Sequence, residues 1–467
     1  MKRKICSVTI ALLLIILAVF AFSSCSTDPI SILNTEINDD GELVIYYSDG
    51  SEKNLGVVVG KDGKNGKDGK DGVDGIDGKD GKDGVDGKDG IDGENGKDGI
   101  NGSDGADGST IITGGEPSLS SAIAKGLRSS VSIVCKFTQS GGWFGSSSTS
   151  ASAGSGVIYK INKSEGDAFI ITNYHVVYYS GSNTANGISD DITVYLYGSE
   201  TAGGAINATY VGGSLIYDIA ILRVENSDIL KASDACAVNV ADSNDVVLGE
   251  TAIAIGNAKG YGISSTSGII SVDSEYIDMT AADEKTAISL RVMRVDTAVN
   301  PGNSGGGLFN NKGELIGIVN AKIVDDGVES IGYAIPTSIA RAIADNIIYY
   351  CYDTDVECVY RAMLGITVLS SDHKAVLDTE TGLVRLTETV SIGSITETSI
   401  AKGILEIDDI LISATLNGEE FRITRNFHVV DMMLNARVGD VVQFVVLRGG
   451  AEATVSITVT KACLAAY

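Results

Sequence analysis

Asn300-Pro301-Gly302-Asn303-Ser304-Gly305-Gly306-Gly307-Leu308 sets one serine among four glycines at the mouth of an apolar run. A serine hydroxyl is a poor nucleophile unless a stiff, exposed turn presents it to an adjacent base. Glycines let the backbone bend sharply and turn N–H groups inward. The amides of Gly302 and Ser304 are therefore candidates for an oxyanion hole, in which each donor is worth on the order of 3 kcal/mol of transition-state stabilisation. A glycine-rich turn can also cradle phosphate, but that pattern needs a Lys followed by Ser or Thr after the glycines. Leu308 and Phe309 stand there instead.

Working upstream, two further blocks supply the partners such a serine needs. Thr172-Asn173-Tyr174-His175-Val176-Val177 is a polar turn after an apolar run, and Tyr217-Asp218-Ile219-Ala220-Ile221-Leu222 puts an Asp at the head of another. Each is weak alone. A lone His is more often structural, and an Asp before a strand is often a cap. Together with Ser304 they fall in the order His, Asp, Ser, which is the chymotrypsin order. In that arrangement His175 takes the Ser304 proton and Asp218 orients and supports the imidazole. The surrounding texture from about Pro117 to Ile348 consists of short apolar runs such as Ala168-Phe169-Ile170-Ile171-Thr172, broken by Gly, Ser, Asn and Asp. Strands at this spacing predict an all-β barrel or sandwich over 117–348. Thr337 to Tyr350 reads as one closing helix.

TNYHVV, YDIAIL and NPGNSGGGL closely resemble the three catalytic blocks of the HtrA/Deg family of trypsin-like serine proteases. Gly154-Ser155-Gly156-Val157-Ile158, the stretch Gly313 to Asn320 and Ile331-Gly332-Tyr333-Ala334-Ile335-Pro336 extend the resemblance. It implies a mainly β chain with a chymotrypsin-like double barrel, a serine endopeptidase acting on misfolded or exposed protein segments outside the cytoplasm, and a homotrimer. One departure is Gly307, where the family usually has Pro. The stretch Ser140 to Gly156, with Trp143 and Phe144, lies where the family carries a mobile regulatory loop. Ile318, Val319, Asn320 and Ala321 resemble the wall of the substrate pocket. With no acidic residue among them, the expectation is a small or medium apolar residue before the scissile bond.

Past Tyr360 the pattern changes again. Arg361-Ala362-Met363-Leu364-Gly365-Ile366 resembles the carboxylate-binding loop of HtrA-type PDZ domains, which implies a peptide-binding module over 361–462 with Met363, Leu364, Gly365 and Ile366 at its site. In that mode backbone amides hold a peptide C-terminus while the peptide adds a strand. Asn417-Gly418 and Gly449-Gly450 read as tight turns. His373 and His428 read as bystanders.

The N-terminal part is of another kind. Residues 1–24 hold a basic start, an apolar run from about Val8 to Phe22 and a small-residue end, which is a secretory signal pattern. Cys25 just after it resembles the lipidated Cys of bacterial lipoproteins and implies a membrane-bound lipid anchor. A plain secretory signal or an uncleaved anchor helix is the alternative. Residues 25–59 alternate apolar and polar positions around two turns and predict a short hairpin. From 60 to 108 glycine recurs at every third position with Lys and Asp between and no Pro. That period suits a collagen-type triple helix, because only glycine fits the crowded axis. Wound as such, it would extend roughly 150 Å at about 3.1 Å per residue. A flexible, solvated linker is the alternative.

The 467 residues carry a formal charge of −26, which repels phosphate backbones and excludes nucleic acid as a natural partner. Protein and peptide substrates are the expected partners. Seven cysteines show no paired spacing beyond Cys351 and Cys358, where a local bridge or buried thiols are both open. No cofactor and no metal-ligand spacing is read.

Overall fold

The computed structural model describes residues 32–37, 42–48, 50–57, 118–139, 148–321, 331–352, 359–377, 379 and 382–466. It divides into two compact units, Met1–Asp104 and Gly105–Tyr467. In the first, β1 (Ile32–Ile37), β2 (Glu42–Tyr47) and β3 (Glu52–Val57) form an antiparallel sheet in that order. The expected hairpin thus gains a third strand. Gly50, at φ 83°, helps turn the chain back so that Glu52 pairs with Tyr46. The signal, Cys25 and the triplet repeat lie outside the described residues.

In the second unit, six strands come first: β4 (Ser130–Gln139), β5 (Ser148–Asn162), β6 (Asp167–Thr172), β7 (Asp191–Leu196), β8 (Ile206–Ser214) and β9 (Ile219–Val224). They close in the order β4-β5-β6-β9-β8-β7. Six more follow: β10 (Thr251–Gly256), β11 (Ser264–Thr280), β12 (Ala287–Val295), β13 (Gly307–Phe309), β14 (Leu315–Val319) and β15 (Gly332–Pro336). They close as β10-β11-β12-β15-β14-β13, the same winding repeated.

The residues explain the strands. In β4, Val131, Ile133, Cys135 and Phe137 alternate into one core cluster. In β9 the apolar run is continuous because both faces are covered. Ala220 and Leu222 join the first barrel's cluster, while Ile219 and Ile221 pack with Ile339, Ile343 and Ile347 in another. Each fully buried Ile or Leu side chain among them contributes about 1.5–3 kcal/mol.

Among the described residues, four α-helices belong to this part: α1 (Leu119–Leu127), α2 (Tyr174–Val177), α3 (Asp228–Ala232) and α4 (Thr337–Tyr350). Ser118 caps α1, its Oγ accepting from Ser121 N at 3.1 Å. The predicted closing helix is α4. Its small Ala340, Ala342 and Ala344 are buried and let it lie close to the barrels. The stretch expected as a mobile loop splits. Residues 140–147 lie outside the described residues, whereas 148–156 belong to β5, because pairing with β4 continues out to Gln139 and Ser148.

The C-terminal part holds β16 (Tyr360–Ala362), β17 (Ile366–Leu377), β18 (Val384–Ile395), β19 (Ile410–Leu416), β20 (Glu419–Arg422), α5 (Phe427–Leu434), β21 (Val441–Arg448), β22 (Ala451–Thr458) and β23 (Leu464–Ala466). The main sheet runs β17-β18-β19-β21-β22 with β20 on β19, and β16 pairs with β23. Both predicted tight turns join paired strands. Asn417 and Gly418 have φ 53° and 85°, and Gly449 and Gly450 have 57° and 87°. Positive φ at both central residues is what a two-residue hairpin with the native twist requires.

This sheet is mounted on the second barrel by polar contacts. Arg291 of β12 pairs with Asp431 of α5, both buried, and Ser338 Oγ donates to the same carboxylate at 2.7 Å. Arg425 bridges Glu388 of β18 at 3.0 Å and Asp273 of β11 at 3.3 Å.

Candidate active site

The short helix α2 that follows β6 carries His175, the β8–β9 turn carries Asp218, and the turn before β13 carries Ser304. Asp218 is buried, and its φ of 50° aims its carboxylate back at α2. Asp218 Oδ1 accepts from His175 N at 2.9 Å, and Oδ2 lies 2.7 Å from His175 Nδ1. Asn320 Nδ2 donates to the same Oδ2 at 2.8 Å. Three donors thus hold the carboxylate. The backbone beneath it is held too, because Asp218 O accepts from Tyr174 N at 3.2 Å and from Asn173 Nδ2 at 2.9 Å.

Ser304 is tied to both barrels. Its carbonyl accepts from Ser155 N of β5 at 2.8 Å, and its Oγ accepts from Ala321 N at 3.3 Å. Asn320 and Ala321 are neighbours, so one short segment after β14 touches Asp218 with a side chain and Ser304 with an amide. Among the described residues, no hydrogen bond joins Ser304 Oγ to the His175 ring. Such bonds are often loose before substrate binds.

Gly302 and Gly305 have φ of 98° and 82°. A Cβ at Gly302 would lie 2.3 Å from Asn257 O, and one at Gly305 would lie 2.3 Å from Ser155 O. Only glycine fits either place. Among the described residues the amides of Gly302 and Ser304 have no acceptor. This leaves two N–H groups available on either side of Asn303. A histidine oriented by a carboxylate, a serine on a glycine turn and two open amides make a set suited to acyl transfer.

Residues 154–318 match the family model of the trypsin-like peptidase domain, and residues 58–114 match that of the collagen triple helix repeat. Over 327 residues the chain is 34% identical to the serine protease Do-like HtrA of Bacillus subtilis (strain 168), covering 67% of this chain and 66% of that one. Over 339 residues it is 30% identical to the serine protease Do-like HtrA of Lactococcus lactis subsp. cremoris (strain MG1363), covering 69% of this chain and 75% of that one. The chain belongs to the HtrA family of serine proteases. Among solved structures, the HtrA-type protease AlgW with decapeptide aligns over 73% of this chain and 98% of its own, at 24% identity and a TM-score of 0.44. The chain spans about two thirds to three quarters of the length of the two HtrA proteases named above.

In this HtrA-family chain the segment expected to wall the substrate pocket lies at the end of β14 and just after it. Ile318, Val319 and Asn320 are all buried. Ile318 and Val319 face two different core clusters, because β14 is covered on both sides. Asn320 turns inward to Asp218. The residues that follow, 322–330, lie outside the described residues.

Met363, Leu364 and Gly365 link β16 to β17, which Ile366 opens. Met363 N donates to Cys463 O at 2.7 Å, Leu364 O accepts from Ser399 Oγ at 2.5 Å, and Gly365, at φ 70°, accepts on its carbonyl from Thr396 N at 2.9 Å. Among the described residues the amides of Leu364 and Gly365 have no acceptor. Cys351 is buried, and its suggested partner Cys358 lies outside the described residues. Sequence reasoning missed the link from Asn320 to Asp218. It also missed Ser155, which the glycine pattern GSG hides among backbone-driven residues.

Proposed function

We propose that the chain is an extracytoplasmic serine endopeptidase that cleaves misfolded or exposed protein segments through His175, Asp218 and Ser304. The observation that carries this reading is the Asp218 carboxylate, which meets both the backbone and the ring Nδ1 of His175. With Nδ1–H donating to Asp218, Nε2 is left as the base. It takes the Ser304 hydroxyl proton as Oγ attacks the scissile carbonyl carbon. The resulting oxyanion is stabilised by the amides of Gly302 and Ser304. His175 returns the proton to the leaving amine, and water then hydrolyses the acyl-enzyme by the same route.

The other parts fit a tethered enzyme. The reading includes a signal over 1–24, a lipid anchor at Cys25, a collagen-like stalk over 60–108, a double-barrel protease domain over 117–348 and a PDZ domain over 361–462. In the last, the open amides of Leu364 and Gly365 receive a peptide carboxylate. A triplet-repeat stalk needs three chains, in keeping with a homotrimer.

A fluorophosphonate probe tests the core of this reading. Wild-type chain labels and degrades casein, whereas Ser304→Ala does neither. An unlabelled, inactive wild type would sink it.

A further inference from the structure

The peptide joining Pro301 to Gly302 carries one of the two amides assigned to the oxyanion hole, so what holds that peptide sets the hole. Pro301 O accepts from Lys259 N at 2.7 Å. In a trans peptide the C=O and N–H point in opposite directions. Fixing the carbonyl on the turn after β10 therefore aims the Gly302 N–H away from that turn. The next carbonyl is fixed as well, because Ser155 Oγ donates to Gly302 O at 2.7 Å. Gly302 is thus gripped on both sides, by a turn of the second barrel and by a hydroxyl of the first.

The grip has its own support. Ser155 Oγ accepts from Asn257 N at 2.7 Å. The Asn257 side chain donates through Nδ2 to Ser132 Oγ at 2.7 Å and accepts on Oδ1 from Gly262 N at 2.8 Å. That last bond closes the turn from Asn257 to Gly262. Within it, Lys259 is held at φ 55°, ψ 17°, a left-handed conformation unusual for a residue with a side chain. Ser155 and Asn257 are 1% and 4% exposed, so no solvent competes for these bonds. The side chain beside the nucleophile does not do the same work, since the buried Asn303 Oδ1 has no hydrogen-bond partner among the described residues.

We propose that Ser155 and the Asn257–Gly262 turn are positioning elements that hold the Pro301–Gly302 peptide in its oxyanion-stabilising orientation. The proposal rests on reading the Gly302 and Ser304 amides as the oxyanion donors. Ser155 is buried, and Lys259 contributes its backbone amide. They act through Gly302, and the Lys259 side chain has no part in it.

The test uses the full chain. Ser155→Ala removes both the donor to Gly302 O and the acceptor of Asn257 N. Misaiming one oxyanion donor lowers kcat by roughly 10²-fold, with KM little changed. Affinity for a peptide aldehyde, whose hemiacetal oxygen occupies the hole, falls by the same factor. Binding of an uncleaved peptide in a Ser304→Ala background does not change, which a general loosening of the site would not allow. Ser155→Thr keeps the hydroxyl and restores most activity. Lys259→Gly keeps the amide and stays active. Ser132→Ala acts one bond further out and covers the case in which Ser155→Ala does not fold. It lowers kcat and aldehyde affinity together, by a smaller factor. Folded Ser155→Ala or Ser132→Ala with wild-type kcat and wild-type aldehyde affinity overturns the clamp while leaving the fluorophosphonate result intact. A wild type that does not label overturns the reading of Ser304 as well.

Discussion

Replacing Asp431 tests how the C-terminal sheet is mounted on the second barrel. Its carboxylate is buried, paired with Arg291 and bonded to Ser338 Oγ. Arg291 lies 4.1 Å over the Phe427 ring, and its Nε has no hydrogen-bond partner among the described residues. Burial pushes the Asp431 carboxyl above its ordinary value, against the pull of Arg291. The sign follows. A carboxyl raised in the fold favours folding most when protonated, below its unfolded value of 3.8, and loses that contribution as pH rises through its folded value. For the carboxylate itself, burial outweighs the attraction of Arg291.

Removing only one member is worse. Asp431→Ala leaves a buried guanidinium with neither counter-charge nor acceptor and should cost about 3–5 kcal/mol, a large share of a stability of about 5–15 kcal/mol. Replacing both members by apolar residues of similar volume removes the charge problem. Arg291→Met with Asp431→Leu should be neutral or more stable by about 1–4 kcal/mol. Urea unfolding followed by far-ultraviolet circular dichroism, in a Ser304→Ala background to stop self-digestion, gives all corners of the cycle. A double variant as unstable as Asp431→Ala would refute the reasoning, since the pair would then be a net source of stability.

Two further outcomes follow from the same geometry. Asn320→Ala removes one of the donors to Asp218 Oδ2, and a hydrogen bond to a charged group is worth about 1.5–3 kcal/mol. A loss of kcat/KM of about 10- to 100-fold is expected, and Asn320→Asp, which sets a second carboxylate against the first, should lose more. Wild-type kinetics in both would remove Asn320 from the site. His428 is pushed from 6.5 down to about 4, first by burial and then by the nearby Arg291. The unfolded chain binds the extra proton first, so the stability tied to neutral His428 is complete above pH 6.5 and lost as pH falls towards about 4. The stability difference between wild type and His428→Gln should shrink or reverse over that interval. A difference that stays flat would show that the proton is not excluded from the fold.

What the sequence made legible was whatever a short window carries. The three motif blocks reported His175, Asp218 and Ser304 because each sits at a strand end with its turn residues beside it. The tight turns at Asn417-Gly418 and Gly449-Gly450 and the helix α4 were legible for the same reason: positive φ and helical spacing are local demands. What stayed hidden are contacts made across the fold by residues whose own windows say something else. Asn320 follows the four aliphatic residues and one glycine of β14 and reads as part of a wall, yet closure of the second barrel turns it onto a carboxylate 102 positions away. Ser155 sits between glycines and reads as backbone, yet its hydroxyl reaches Gly302, 147 positions on. Asp431 falls in an apolar helical pattern where an acid looks misplaced, and only the packing of α5 on β12 supplies its Arg291. All three are buried polar groups, and a buried polar group has to find a partner. An isolated Asn, Ser or Asp inside an otherwise apolar stretch is therefore a signal that can be read in advance. It announces that a distant partner exists, though only the fold can say which one.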